Sequence, residues 1–232
     1  MRQCVIRRFY EAMVTAIALT SILGAAGASA QSNTGTPTPE FPCATVQPAN
    51  AHGSEATPSP VMEDKEMETG FDLALIDMMT PHHQGAISMA EVVLARSTNE
   101  EIRTLAGEII AAQAAEIEQM MEWRSSWYPD VPVLSEDHAM EMMGMGNLEM
   151  MAMGGGAMLA DLCDAEDVDV AFLELMIPHH QSAIVMAEAA LEQAERDEIR
   201  ELAKEITESQ AAEITLMQDL LAGLTGTPTA KA

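Results

Sequence analysis

Two pairs of adjacent histidines are the residues of this sequence best suited to chemistry. His82 and His83 follow a proline and precede a glutamine, and His179 and His180 stand in the same setting. Methionines lie within a few helical turns of each pair, so imidazole nitrogen and thioether sulfur occur together. This donor set favours soft or borderline metal ions, with copper(I) or silver(I) as the best match, whereas magnesium and calcium prefer oxygen ligands.

The motif around each histidine pair belongs to an internal repeat whose two copies are offset by 97 residues. The candidate metal ligands are Met79, His82, His83, Met89 and Met120 in the first copy, and Met176, His179, His180, Met186 and Met217 in the second. Core packing is the alternative for the methionines, because methionine fills irregular gaps and only 3% of the residues are aromatic.

Four further polar residues fall where apolar residues are expected. At about 100° per residue, each histidine pair lies on or beside an apolar stripe, and the partner helix has Gln113 and Glu116 in its own stripe. The second copy repeats this arrangement with Gln210 and Glu213. Buried polar groups need partners. We therefore predict that these side chains hydrogen-bond to the imidazoles or stand behind them, as groups around metal-bound histidine do.

An all-α fold is predicted from the periodicity of each copy. Each copy holds two helices joined by a short polar turn, with helices expected at 71–97, 99–123, 168–195 and 197–221. Each hairpin has an apolar stripe that it cannot bury alone, so two hairpins should pack as one four-helix bundle with approximate two-fold symmetry. Pro81 and Pro178 are expected to kink their helices rather than to begin new ones.

The connection between the two copies, residues 125–167, is long and rich in methionine. It contains glycines and is expected to lack fixed structure in part. Its candidate ligands are His138, Met140, Met142, Met143 and Met145, and further methionines follow at Met150, Met151, Met153 and Met158. Capture of soft ions and packing as a lid on the bundle are both open for this segment.

The beginning of the sequence predicts export. Residues 1–30 have a basic start, an apolar stretch and an Ala-Ser-Ala cleavage site, which is typical of a signal peptide. Residues 31–60 are rich in Pro, Thr and Ser and are expected to be a flexible tether. A single bundle domain should then occupy 61–224, with repeats at 71–124 and 168–221. No other stretch is apolar enough for a membrane span, so the protein is expected to be secreted or periplasmic.

Charge and cysteine content agree with that compartment. Removal of residues 1–30 takes away three arginines and one glutamate and leaves 8 basic and 36 acidic residues, a net charge of about −28. Such a surface repels nucleic acid. Of the remaining cysteines, Cys43 and Cys163 could form a disulfide outside the cytoplasm; if they do not, Cys163 is a thiol that could bind a soft metal.

Three functions fit these patterns. The first is binding of copper(I) or silver(I) for sequestration or for transfer to another copper-handling protein. The second is a structural or partner-binding helical domain whose histidines form only a hydrogen-bond network. The third is a copper-dependent oxidase, for which the sequence offers no separate nucleophile or substrate pocket. Zinc would leave the methionines without a role, and neither copy has the Glu-x-x-His motif of di-iron bundles.

The doubled motif Met-(Thr/Ile)-Pro-His-His-Gln-x-Ala-Ile-x-Met-Ala-Glu, with Asp72 or Asp169 upstream and Gln-x-x-Glu-Ile downstream, resembles the bacterial family called domain of unknown function 305. The resemblance covers about 150 residues, from Phe71 to Leu221. It implies a ferritin-like helical fold, export and a copper-binding role linked to copper tolerance. It also implies that the histidine pairs and the methionines beside them are the positions to test.

Overall fold

The computed structural model describes Cys43, residues 70–144 and residues 155–226. All regular elements among these residues are helices, which confirms the predicted all-helical class. The helices are α1 (Phe71–Arg96), α2 (Glu100–Trp127), α3 (Glu136–Met143), α4 (Gly155–Asp164), α5 (Val168–Gln193) and α6 (Asp197–Thr225). The four long helices end within four residues of their predicted bounds. The predicted signal peptide and tether lie outside the described residues.

Local sequence signals explain where the helices begin and end. Asn99 accepts hydrogen bonds from the first backbone amides of α2, and Asp167 does the same for α5. These side chains satisfy donors that a helix leaves unpaired at its N-terminus. Gly144 ends α3 in a left-handed conformation with φ of 67°, which glycine adopts without steric cost. Pro81 and Pro178 lie inside α1 and α5, which continue past them.

The long helices pair as two antiparallel hairpins, α1 with α2 and α5 with α6, and the hairpins meet mainly where α1 lies against α5. Buried apolar residues divide into two clusters. The first core joins the N-terminal half of α1 to the C-terminal half of α5 and also contains Met120, Ala139 and Ile206. The second core joins the opposite halves of α1 and α5 and also contains Ile109, Leu162 and Met217. Each core therefore draws on both copies of the repeat.

Two aspartates of α1, whose side chains are largely covered, hold neighbouring segments in place. Asp72, 1% exposed, accepts hydrogen bonds from the backbone amides of Glu195 and Arg196 in the turn between α5 and α6. Asp77 pairs with Arg124 of α2 at 2.7 Å and accepts a hydrogen bond from the backbone amide of Leu134 at 2.9 Å. The first contact joins the two hairpins, and the second holds the start of the connection against α1.

The connection between the copies contains two helices that the sequence analysis did not predict. α3 packs on α1, with Ala139, Met140 and Met143 buried in the first core. α4 packs on α1 and α5, with Leu162 buried in the second core. Both helices are too short to be stable alone; burial of one face against the bundle stabilises them, and that packing partner cannot be read from local periodicity. Residues 145–154 of the connection lie outside the described residues.

A disulfide joins Cys43 to Cys163 at the end of α4, with 5.6 Å between their Cα atoms. Because Cys163 is in this bond, it is not the free metal-binding thiol that the sequence left open as an alternative. Arg96 of α1 adds a second attachment, because its guanidinium donates to the backbone carbonyls of Leu162, Cys163 and Ala165. Among the helices described, none combines the length and the apolar character that a membrane crossing requires.

Replacing both Cys43 and Cys163 with serine is expected to lower the free energy of unfolding by about 2–4 kcal/mol. The bond spans 120 residues of sequence, so its loss enlarges the conformational freedom of the unfolded chain. Urea unfolding of the variant beside the oxidised wild-type protein measures the difference. Equal midpoints and slopes for the two proteins would show that the disulfide contributes nothing to stability.

Candidate metal site

A layer of polar side chains crosses the bundle between the two cores. We call it the polar layer; it consists of His82, His83, Gln113, Glu116, His179, His180, Gln210 and Glu213. None of these side chains is more than 6% exposed. Each lies within a turn or so of core residues on either side, so the layer is enclosed by apolar packing. The predicted inward orientation of both histidine pairs is present.

Each hairpin anchors one histidine on its own glutamate. His83 Nε2 lies 2.6 Å from Glu116 Oε2, and His180 Nε2 lies 2.8 Å from Glu213 Oε2. A neutral imidazole that donates from Nε2 to a carboxylate carries its lone pair on Nδ1. The glutamates therefore orient the two rings, and in the neutral form of each ring Nδ1 is the electron-pair donor, as is common where such groups stand behind metal-bound histidines.

The other two histidines meet at the contact between the hairpins. The rings of His82 and His179 have their centroids 3.8 Å apart. Ser182 donates its hydroxyl proton to the carbonyl of His179 at 2.7 Å and lies 2.8 Å from His82 Nε2. Because that proton is already used, His82 Nε2 is the donor to Ser182 Oγ, and the lone pair of His82 also falls on Nδ1.

The two copies differ at this point. The position equivalent to Ser182 in the first copy is Gly85, which has no hydroxyl to offer His179. Neither ring nitrogen of His179 has a hydrogen-bond partner among the described residues. One central imidazole is therefore anchored and the other is not.

Many polar atoms of the layer are buried without partners in the part of the chain that the structure describes. They are Nδ1 of all four histidines, Nε2 of His179 and both amide atoms of Gln113 and Gln210. The great majority of buried polar atoms in proteins are hydrogen-bonded, and an unsatisfied group costs about 1–3 kcal/mol. A concentration of such atoms in one layer indicates a place that a ligand or ordered water completes.

Thioethers flank the layer in two equivalent sets. The first core contains Met79, Met120 and Met186, and the second core contains Met89, Met176 and Met217. All six are fully buried. Each set combines two methionines of one copy with one of the other, so neither hairpin completes a set alone. The Thr80 hydroxyl lies 4.0 Å from the sulfur of Met120.

Burial lowers the pKa of the two central imidazoles. Desolvation, and then the neighbouring His179, holds the pKa of His82 well below its usual value of 6.5. Desolvation, and then His180 and His83, lowers the pKa of His179 to about 3. Both rings are thus neutral at pH 7, and a neutral imidazole can bind a metal without first losing a proton.

The candidates on the connection are separated by α3 into two groups. Met140 and Met143 are buried in the first core and Met142 is half-buried beside it, whereas His138 is exposed. α3 therefore places the thioethers toward the bundle and the imidazole toward solvent. Met145 lies outside the described residues, as do Met150, Met151 and Met153; Met158 of α4 packs against the second core.

Within the described residues, no three His, Cys, Asp or Glu side chains are grouped as a metal site would require. The histidine pairs are instead combined with methionines. Sequence reasoning missed Ser182 and Thr80, which hydrogen-bond at the edges of the layer. Ser182 differs from its repeat counterpart, and that departure from the repeat was the signal available in the sequence.

Fold and site together define a class of duplicated four-helix bundle with a layer of buried histidines at its centre. Residues 72–221 match the sequence profile described as Domain of unknown function (DUF305). The chain belongs to this family, as its motifs predicted. No curated protein matches the chain significantly.

Several solved structures are similar to this chain. CopM in its Cu(I)-bound form is 35% identical, with 66% of this chain and 96% of that chain covered and a TM-score of 0.53. CopM has also been solved in Cu(II)-bound, Ag-bound and apo forms. A DUF305 protein from Streptomyces coelicolor, named as a secreted protein, is 33% identical over 71% of this chain and 99% of its own, with a TM-score of 0.62.

Proposed function

We propose that this protein binds copper(I), with silver(I) as an equivalent guest, inside the four-helix bundle, and that it sequesters the metal outside the cytoplasm as part of copper tolerance. One observation carries the proposal. Four buried imidazole Nδ1 atoms lack partners among the described residues, and fully buried methionines flank them on both sides. The bound ion is the cargo of the protein.

The residues suit a soft monovalent ion. Thioether sulfur and neutral imidazole nitrogen are ligands that copper(I) accepts, and neither adds charge to the buried layer. Met79 and Met176 each precede a histidine pair by about one helical turn, so one helix supplies both donor types. Glu116 and Glu213 would hold the ring orientation while Nδ1 of His83 and His180 binds the ion.

The unpaired atoms also separate this proposal from a purely structural role. A hydrogen-bond network that served only stability would pair most of its own donors and acceptors. Here the glutamates are paired with histidine, but the amides of Gln113 and Gln210 and the four Nδ1 atoms are not. These atoms need a partner beyond the described residues to complete their hydrogen bonds or to use their lone pairs.

The comparisons support the same ion. CopM has been solved with Cu(I), with Cu(II) and with silver, and it is similar to two thirds of this chain. The disulfide between Cys43 and Cys163 supports an oxidising compartment, where such bonds persist. A transfer partner outside the cytoplasm would be another copper-handling protein.

A surface groove lies over the part of α1 that carries the first histidine pair. It runs over the turn of α1 that contains Thr80, Pro81, Gln84 and Gly85, with Met121 of α2 at its edge. Proline at position 81 removes one backbone donor from this turn, directly before the first histidine pair. The Thr80 hydroxyl links the groove to the sulfur of Met120.

Anaerobic titration of the metal-free protein with copper(I), against a competing chelator, tests the proposal. We expect submicromolar or tighter affinity. We also expect silver(I) to raise the melting temperature by several degrees, because saturation at 100 times the dissociation constant adds about 2.7 kcal/mol to stability. Zinc(II) and magnesium(II) at the same concentrations are the controls and should have smaller effects.

Millimolar affinity for copper(I), together with a melting temperature that silver(I) leaves unchanged, would reject the proposal and favour the structural reading of the polar layer. Catalytic turnover of copper(I) under oxygen would point instead to the oxidase that the sequence analysis considered.

A further inference from the structure

Three buried methionines among the described residues have no methionine counterpart in the other copy of the repeat. The sets that flank the polar layer account for six buried methionines, and each has a methionine counterpart 97 residues away. Met78, Met140 and Met143 are also buried, at 6%, 4% and 2% exposure. Met78 corresponds to Leu175 in the second copy, and the other two belong to the connection. All three lie in the first core.

α3 packs on α1, the helix that carries Met78, and adds Met140 and Met143 to the same core. Asp77 accepts a hydrogen bond from the backbone amide of Leu134, so the chain that enters α3 is attached to α1 at the residue before Met78. α3 then packs along α1. Met140 and Met143 are three residues apart, which places them on the same face of the helix, and this is the buried face.

Packing alone does not require sulfur at these positions. α4 covers the second core as α3 covers the first, and the residue that it buries there is Leu162, with Leu159 and Met158 packed beside it in partly buried positions. Leu175, the counterpart of Met78, packs against that core as well. Leucine therefore suffices for the same task in the other half of the bundle, and it is the better-ordered core residue because methionine has more rotatable bonds.

We propose that Met78, Met140 and Met143 form a second kind of soft-ion site, made of thioethers alone and separate from the polar layer. Three neutral sulfur ligands suit copper(I) or silver(I) and give no advantage to divalent ions that prefer nitrogen or oxygen. The site lies under a short helix whose exposed face carries Glu136, Asp137 and Glu141, and these carboxylates attract cations to its entrance.

The site goes beyond the proposed function, because it uses none of the histidines. Its ligands come from α1 and from a short helix of the connection, whereas the polar layer is built from the four long helices. α3 is ordered by the packing of its apolar face, so an ion that joins α3 to α1 would also stabilise the connection. The half of the bundle that contains the first core would hold more soft ions than the half that contains the second core.

Silver(I) titration of protein labelled at the methionine methyl groups with carbon-13 tests the proposal. The experiment uses the His82→Gln, His179→Gln variant, so that binding at the polar layer is weakened. We expect the methyl signals of Met78, Met140 and Met143 to shift together and to saturate at one equivalent of silver. Met140→Leu with Met143→Leu should abolish that equivalent, and Met158→Leu on α4 is the matched control that should retain it.

Leucine is close to methionine in volume and is tolerated in cores, so circular dichroism and the melting temperature should show that the variants fold. Retention of the equivalent in the Met140→Leu, Met143→Leu variant would overturn the proposal, as would signals of the three methyl groups that silver leaves unshifted. Neither result would contradict the proposal that the polar layer binds copper(I), because that proposal is tested separately by the loss of affinity in the histidine variant.

Discussion

Replacing His82 and His179 with glutamine should weaken the binding of copper(I) and silver(I) at the polar layer by more than about 100-fold. Loss of a group that merely orients a ligand commonly costs 10–100-fold in metal affinity, and the double variant removes two candidate ligands at once. The centroids of these two rings lie 3.8 Å apart, at the contact between the hairpins. The double variant therefore removes one candidate metal ligand from each copy of the repeat.

This pair is preferable to His83 and His180 for the experiment. Removing His83 or His180 would take away the imidazole that is ion-paired with the buried carboxylate of Glu116 or Glu213, and breaking a buried pair in this way is strongly destabilising. His82 hydrogen-bonds to the Ser182 hydroxyl and to the backbone of His179, which are uncharged groups.

Competition with a chelator under anaerobic conditions measures the change. The matched control is His138→Gln, because His138 is exposed on α3 and lies away from the layer. A double variant whose affinity stays within threefold of wild type would exclude His82 and His179 as ligands.

Stability of the metal-free protein should fall as the pH drops below about 6.5. The pKa of His179 is lowered to about 3 in the folded protein, whereas the unfolded chain titrates near 6.5. Between these values the unfolded state binds a proton that the folded state excludes. Acid therefore favours unfolding by about 1.4 kcal/mol per pH unit for this group. His82 acts in the same direction because its pKa is also lowered.

Urea unfolding at pH 7 and pH 5 gives the slope. Other acidic groups also titrate in this range, so the comparison is made with the His82→Gln, His179→Gln variant, which lacks both imidazoles. We expect wild type to lose more stability than the variant between the two pH values. Equal losses in both proteins would show that the central imidazoles do not titrate as their burial implies.

The repeat explains why so much of the site was predictable. An offset of 97 residues placed Gln113 and Gln210, and Glu116 and Glu213, at equivalent positions, and helical periodicity assigned them to the buried stripe. The hydrogen bonds from His83 to Glu116 and from His180 to Glu213 follow from that register. Periodicity and the need of buried polar groups for partners agreed for the two glutamates. The predicted hydrogen bonds of Gln113 and Gln210 to the imidazoles, by contrast, are absent among the described residues.

Contacts between the hairpins could not be read in the same way. The ring contact of His82 with His179 and the role of Ser182 depend on how α1 crosses α5, which neither helix encodes by itself. α3 and α4 were missed because their stability comes from the surface on which they pack. Whether Cys43 and Cys163 form a disulfide remained open in the sequence, since positions along the chain do not show that two thiols meet in the fold.

The polar layer and both methionine sets contain residues of both copies, so a chain with only one copy could not form them by itself. A lone α1–α2 hairpin would carry Met79 and Met120 but would lack the partner sulfur that Met186 supplies, and its histidines would face solvent. Such a chain could enclose them only by associating with a twin about a two-fold axis. Duplication within one polypeptide makes that association independent of protein concentration, so a dilute protein keeps the same interior as a concentrated one.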